Sequence, residues 1–498
     1  MLFRSLGPVP QGRNRYERAN QWLLQSALAC GIARVRFLCL WNGEEGDGPG
    51  GTAQMYREVQ QRTGQVTWID IRTLPGYPQE PVDAASQSLA QPAVPWQGVE
   101  QANPILRRMR QSGPKRILTC DGGGIRGLIS VGILSRLERA LRQSLDRPDL
   151  VLGDYFDLIA GTSTGGIIAT CLSTGMSMEQ VRGLYINHGA EMFQPARSWW
   201  RRTLKARYRS EPLAATLRAA FNEQLNRVGP PDRRSDRPVS FGDPRLRGLL
   251  MLVLRNQSSD SPWPLCNNPL AHYNQPDHPE CNLNLPLWQL VRASTAAPTF
   301  FLPEEIRFGP GGERTQVFVD GGITTYNNPA YLAFQMATTA PYRIQWPTGA
   351  DQLLIVSVGT GNAPSERANL RARQLWLLDY AQTVPMALMN AATDGWDMVC
   401  RVLGECRYGR EVDREFGSMV QPAGTAAALS NWTGSKQFAY VRYDPLTNRD
   451  GLDSLGLRDV DEKPLAVMDD VSQIPTLLRV GEAFADQHLS LDHLQGFL

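Results

Sequence analysis

Twice in this chain an apolar run enters a glycine-rich turn and leaves it as a helix. The first unit is Ile117-Leu118-Thr119-Cys120-Asp121-Gly122-Gly123-Gly124-Ile125-Arg126-Gly127, with an apolar helix beginning near Leu128. The second runs as a strand from Tyr155 to Ala160, turns through Gly161-Thr162-Ser163-Thr164-Gly165-Gly166 and continues as a helix to Ser173. Further strands are predicted at Arg116–Cys120, Gly248–Leu254, Gln316–Val319 and Gln352–Val358, with helices between them. Strands that alternate with helices predict an α/β fold with a mostly parallel central sheet.

That sheet occupies about residues 113–365. Before it, residues 1–112 predict a small βαβ unit: a strand at Arg34–Leu40, a glycine loop at Asn42–Thr52, a helix at Ala53–Arg62 and a strand at Gln65–Ile71. Proline, glutamine and serine rise from Leu74 to Pro104, which marks a linker. After the sheet, residues 366–498 are mainly helical by pattern and predict a C-terminal extension. The chain has 498 residues, enough for such a division, and a formal net charge of only +2. So small a charge speaks against a nucleic-acid polymer as partner. Only four of the 51 basic residues are lysines; a GC-rich coding sequence explains that bias without reference to function.

No run reaches the roughly 18 apolar residues of a spanning helix; the stretch GLLMLVL has the length of a buried strand. The first twelve residues hold no apolar signal region, and the eight cysteines are scattered without a CxxC pair. Both features predict a cytoplasmic protein with reduced thiols. Cys266, His272, His278 and Cys281 are zinc-ligand types, but their spacing is not that of a finger and proline and asparagine fill the loop. The reading is therefore an irregular loop, with no metal and no cofactor.

Three consecutive glycines at a helix start let backbone N–H groups converge, and such a nest binds a phosphate or a developing oxyanion. Arg126 adds a fixed positive charge there. Gly161-Thr162-Ser163-Thr164-Gly165, between strand and helix, has the pattern of a nucleophile elbow. A serine nucleophile needs a base. Asp320, in Phe318-Val319-Asp320-Gly321-Gly322, ends a strand and is one candidate; an aspartate capping a turn is the bland alternative. The five histidines are His188, His272, His278, His488 and His493. Two arrangements stay open on these residues: a triad of Ser163, Asp320 and His488 or His493, or a dyad of Ser163 and Asp320.

DGGGIRG at 121–127, GTSTGG at 161–166 and DGG at 320–322, in that order, resemble the patatin-like phospholipase family. RASTAAPTFF at 292–301, Asn327-Asn328-Pro329 and SVGTG at 357–361 are similar as well. The resemblance covers about 113–365. It implies a three-layer α/β/α core and a Ser–Asp dyad that cleaves fatty-acyl esters of membrane lipids through an acyl-serine. Carried over by position, Ser163 is the nucleophile and Asp320 the base. The amides of Gly122, Gly123 and Gly124 form the oxyanion hole, Arg126 steadies that loop, and Asp121, Gly127, Gly161, Gly165, Gly321 and Gly322 support the motifs. Many members have DGA where this chain has DGG. The alternatives are a histidine-triad esterase of soluble esters and a degenerate hydrolase fold that senses a cyclic nucleotide.

Two flanking features add partners. RSWWRRTLKARYR at 197–209 interleaves Trp199 and Trp200 with cations, which suits an anionic bilayer surface as well as it suits a solvated helix. The loop Asp47–Thr52 has the glycines of a phosphate site. Patatin-like enzymes also serve as anti-phage effectors switched on by a cyclic nucleotide, so the N-terminal unit is a candidate sensor.

Overall fold

The computed structural model describes residues 103–195, 206–228, 238–275, 278, 280–309, 312, 314–362, 377–420 and 435–498. Before them it describes positions 24, 37–41, 52, 55–57, 59 and 66–70, and at 377–386 it describes the backbone alone. The chain divides into two units, Met1–Val94 and Pro95–Leu498. In the first, Phe37–Trp41 (β1) pairs in parallel with Val66–Asp70 (β2), Phe37 opposite Val66. The described positions between them at 52, 55–57 and 59 are helical. Loop residues 42–51 lie outside the described residues.

In the second unit the strands are β3 (Lys115–Cys120), β4 (Leu158–Thr162), β5 (Leu249–Asn256), β6 (Ser261–Cys266), β7 (Glu304–Phe308), β8 (Arg314–Asp320), β9 (Leu353–Val358), β10 (Glu405–Tyr408) and β11 (Ala439–Tyr443). The helices are α1 (Pro104–Arg110), α2 (Gly127–Ser144), α3 (Thr164–Ser173), α4 (Met178–Met192), α5 (Ser210–Val228), α6 (Leu287–Ser294), α7 (Ala330–Thr338), α8 (Leu377–Leu403) and α9 (Ile474–His488), besides several single turns. Among the described residues the strands form one nine-stranded sheet, ordered β10-β11-β9-β3-β4-β5-β8-β7, with β6 also on β5. From β10 to β5 every pair is parallel; the pairs β5–β8, β8–β7 and β5–β6 are antiparallel. α2, α3, α4, α5, α6 and α9 pack among themselves on one side, while α7 and α8 pack together over β3, β9, β10 and β11. Two such groups of helices about one mostly parallel sheet make a three-layer α/β/α arrangement.

A sheet covered on both faces needs strands apolar on both faces. β4, β9 and β11 are buried throughout, and β5 is buried at all but one position. The predicted strands at Arg116–Cys120, Gly248–Leu254 and Gln352–Val358 therefore recur with shifts of a residue or two. Tyr155 does not begin a strand: Leu152–Tyr155 is a helical turn and β4 starts at Leu158. The Arg108 guanidinium, from α1, holds that turn through the carbonyls of Gly153, Asp154 and Phe156. The Tyr155 hydroxyl donates 3.0 Å to the Phe497 carbonyl.

The core of the second unit draws on residues before 112 and after 365. α1 lies before residue 112, yet its Ile105, Leu106 and Met109 belong to the core of the second unit. The segment after 365 supplies β10 and β11, and β11 continues the parallel sheet directly beside β9. The short run ECRY carries too little periodicity to read as a strand alone; its pairing with Ala439–Tyr443 makes it one.

Candidate active site

The register of three strands brings Ser163 and Asp320 together. Thr162, the last residue of β4, pairs with Val253 of β5; Asp320, the last of β8, pairs with Leu254 from the other side. Both side chains therefore emerge at the same row, across one intervening strand. The Ser163 hydroxyl donates to Asp320 Oδ2 at 2.6 Å, and Asp320 Oδ1 accepts the Gly322 N–H at 2.7 Å. Both residues are buried, Ser163 9% and Asp320 4% exposed.

The turn holding Ser163 is strained, with φ 54° and ψ −122°. It is tight enough that flanking side chains have no room. A Cβ on Gly161 would collide with the Gly165 carbonyl, and one on Gly165 with the Cys120 carbonyl at the end of β3. This is the physical reason for G-x-S-x-G here: the elbow is wedged against the strand that starts the glycine loop. The Ser163 N–H donates 3.0 Å to Ser294 Oγ, at the end of α6. α3 begins at Thr164, so the partial positive charge of its N-terminus adjoins the hydroxyl.

Burial pushes the Asp320 carboxyl up to about 6; the hydrogen bonds from Ser163 and Gly322 and the charge of Arg292 hold it from rising further. Arg292 is fully buried on α6, where it donates to Ser210 Oγ and the Leu302 carbonyl.

The glycine loop differs in detail from expectation. The Gly122 N–H is not available to a substrate: it donates 3.2 Å to the Asn327 carbonyl. The Gly122 carbonyl in turn accepts from Asn327 Nδ2 and Thr360 Oγ1. The N–H groups of Gly123 and Gly124 find no acceptor among the described residues, and both glycines line the Ser163 cavity. Gly124 takes φ +60°, and a Cβ there would collide with the Met468 carbonyl. That carbonyl accepts the next N–H, from Ile125, at 2.8 Å. Arg126 does not line the Ser163 cavity. It is buried beside a second, polar cavity of about 20 Å³ with Asp121, Thr360 and Asp444. Gly127 opens α2 against the Thr164 side chain, and Gly321 lies against the Val253 carbonyl.

The Ser163 cavity has a volume of about 630 Å³. Its walls are mostly apolar, among them Ile167, Phe193, Leu213, Phe300, Phe301 and Met468. Among the described residues no histidine lines it. His493 Nδ1 is 2.9 Å from the Tyr443 hydroxyl and its ring stacks on Tyr408; His488 packs on Phe484. Of the two arrangements left open by the sequence, the dyad pair is in direct contact here, whereas the imidazoles of His488 and His493 are engaged in aromatic packing elsewhere. The four candidate zinc ligands do not converge on one point. His272 and His278 pack against Tyr273, and among the described residues no group of three or more such side chains is placed to hold a metal. Trp199 and Trp200 lie outside the described residues, and among those residues no helix is long and apolar enough to cross a membrane.

Several residues that fix this site had only a partial signal. Ser294 and Asn327 fall inside stretches already similar to the family, without a role attached to them. Arg442 and Met468 fall in the C-terminal segment, where only the lone arginine in the run FAYVRY hinted at a buried partner.

The profile described as patatin-like phospholipase matches residues 118–334. A protein of Escherichia coli named cGAMP-activated phospholipase is 28% identical over 52% of this chain and 66% of its own length. One of the same name from Vibrio cholerae is 29% identical over 49% and 64%. Patatin-17 of Solanum cardiophyllum is 27% identical over 56% and 69%. The chain thus spans about two thirds of the length of the curated relatives it matches. The matched segment runs from inside the strand before the glycine loop to the helix after the Asp320 turn, and over it this chain is similar to the patatin-like phospholipase family.

Proposed function

We propose that this chain hydrolyses fatty-acyl esters of membrane lipids through a Ser163–Asp320 dyad. The observation that carries the reading is the 2.6 Å hydrogen bond from Ser163 to Asp320 at the base of an apolar cavity. The cavity takes an acyl chain and excludes water from the ester. Asp320, ionised above a pKa of about 6, accepts the Ser163 proton as Oγ attacks the carbonyl carbon. The amides of Gly123 and Gly124 receive the oxyanion; one such donor is worth about 3 kcal/mol of barrier. The proton passes from Asp320 to the leaving alcohol, and an acyl-Ser163 remains. Water, deprotonated by the same carboxylate, then releases the fatty acid.

The names of two relatives support a second element: a cyclic dinucleotide switches the activity on, as befits a membrane-degrading effector of antiviral defence. On this reading the protein is cytoplasmic and meets the bilayer peripherally, near Trp199 and Trp200. Incubating total bacterial lipid extract with wild type and Ser163→Ala, with and without cyclic di- and trinucleotides, tests both elements by mass spectrometry. Free fatty acid and lyso-lipid should accumulate with wild type alone, and more with the activating nucleotide. Equal lipid loss with Ser163→Ala would overturn the dyad; indifference to every nucleotide would overturn the switch.

A further inference from the structure

We propose that Arg442, on β11, is a positioning residue for the oxyanion loop, acting through Asp121. The inference rests on the acyl-hydrolase reading above, and it places the control of that loop outside the matched 118–334 segment.

Arg442 is 1% exposed and Asp121 2%. The guanidinium grips the Asp121 carboxylate with both arms, Nη1 to Oδ1 at 3.0 Å and Nη2 to Oδ2 at 2.6 Å. A two-armed pair fixes the plane of a carboxylate as well as its distance. Asp121 is the residue from which the three glycines depart, so its orientation sets the direction in which the Gly123 and Gly124 amides leave the sheet. The same guanidinium also holds the neighbouring turns. Nη1 donates 2.8 Å to Ser357 Oγ on β9, and Nη2 donates 3.2 Å to Asp444 Oδ2. Asp444 Oδ1 accepts the Gly361 N–H at 3.0 Å. Between Ser357 and Gly361 stands Thr360, whose hydroxyl holds the Gly122 carbonyl. One buried cation therefore ties together the turns after β3, β9 and β11, and the glycine loop is the element they enclose.

A buried ion pair of this kind is weak support for stability, since desolvation offsets much of its attraction. Its geometry is better suited to holding a loop whose amides must be in place before charge develops on the substrate. Such a role has a kinetic signature. The oxyanion exists in the transition state and not in the bound ester, so a misplaced loop lowers kcat and leaves KM nearly unchanged. A lysine at 442 keeps the charge but loses the fork.

The test uses the full chain with Arg442→Lys, Arg442→Met and Asp121→Asn. Three quantities are read: kcat and KM on a short soluble ester, the rate of Ser163 labelling by a fluorophosphonate, and the melting temperature. Arg442→Lys should lose about a hundred-fold in kcat, the scale of a 1 Å displacement, with KM within about two-fold of wild type. Labelling should slow in proportion, because the phosphonyl oxygen uses the same amides. Asp121→Asn, which keeps the shape and loses the charge, should lose about ten-fold. If Arg442→Met does not fold, the other two variants carry the result. Folded Arg442→Lys and Asp121→Asn with wild-type kcat and labelling rate would overturn the proposal, as would a change confined to KM. A wild-type protein that neither turns over the ester nor labels at Ser163, with or without cyclic di- and trinucleotides, would overturn the acyl-hydrolase reading itself, an outcome distinct from the first.

Discussion

The Ser163 N–H donates 3.0 Å to Ser294 Oγ, and that hydroxyl donates 2.7 Å to the Val253 carbonyl. One hydroxyl thus couples the strained elbow to β5, the strand that separates it from Asp320. A residue held at φ 54° costs about 1–3 kcal/mol and persists only when its surroundings impose it. Ser294→Ala removes this tie and takes away the acceptor of the buried Ser163 N–H. It should destabilise the fold by about 2 kcal/mol and lower kcat about ten-fold with KM little changed. Thermal melting and steady-state kinetics together check it; an unaltered kcat would show that the elbow keeps its shape without Ser294.

The pH dependence follows from Asp320. A base must be ionised to act, and burial raises this carboxyl to about 6. Activity should therefore climb with pH through about 6 and then level off, with a fall-off on the acid side at higher pH than an ordinary aspartate would give. Asp320→Asn should abolish turnover at every pH. His488→Ala and His493→Ala should leave both the rate and the profile in place. A profile governed by either histidine would return the imidazole to the mechanism.

Gly124 tests the oxyanion loop without touching any side chain. At φ +60°, against the Met468 carbonyl, an added methyl forces the loop outward. Gly124→Ala should reduce kcat by about a hundred-fold, the loss of one well-placed donor. Phosphonylation of Ser163 should slow equally. Substrate binding, measured with Ser163→Ala in the same background, should change far less.

Gly165 makes the complementary case, where the effect falls on folding. Its Cα faces the Cys120 carbonyl at the end of β3. Gly165→Ala drives a methyl into the backbone of a central strand and should cost about 3 kcal/mol or more. A normal melting temperature for this variant would mean that the elbow and β3 are less closely packed than described above.

How far the site was legible in the sequence depends on the distance over which each constraint acts. The turn at Gly161–Gly165 is a local demand, since a few consecutive residues must pass close to their own backbone, and glycine is what permits it. The meeting of Ser163 with Asp320 is not local. It needs Thr162 opposite Val253 and Asp320 opposite Leu254, a register that no single run encodes; only the resemblance joined the two. The Gly122 amide looked like its neighbours until Asn327 occupied it. Tyr155 and Phe156 have strand-forming side chains, yet contacts to Arg108 and Phe497 bend their backbone into a turn. β10 and β11 were hidden for the same reason as Arg442: their partners lie in segments far away along the chain, and the meaning of each appears only beside β9.

That distance bears on the making of the protein. Asp121 and Arg442 stand 321 residues apart, and Met468 follows later still. A nascent chain that has emerged as far as β9 already carries its nucleophile and its base. It does not yet carry the cation and the carbonyl that hold the oxyanion loop. Synthesis proceeds at about 5–20 residues per second, so this interval lasts several seconds or more in every cell that makes the protein. During it, a chain that already holds Ser163 and Asp320 lacks the long-range contacts that set the glycine loop.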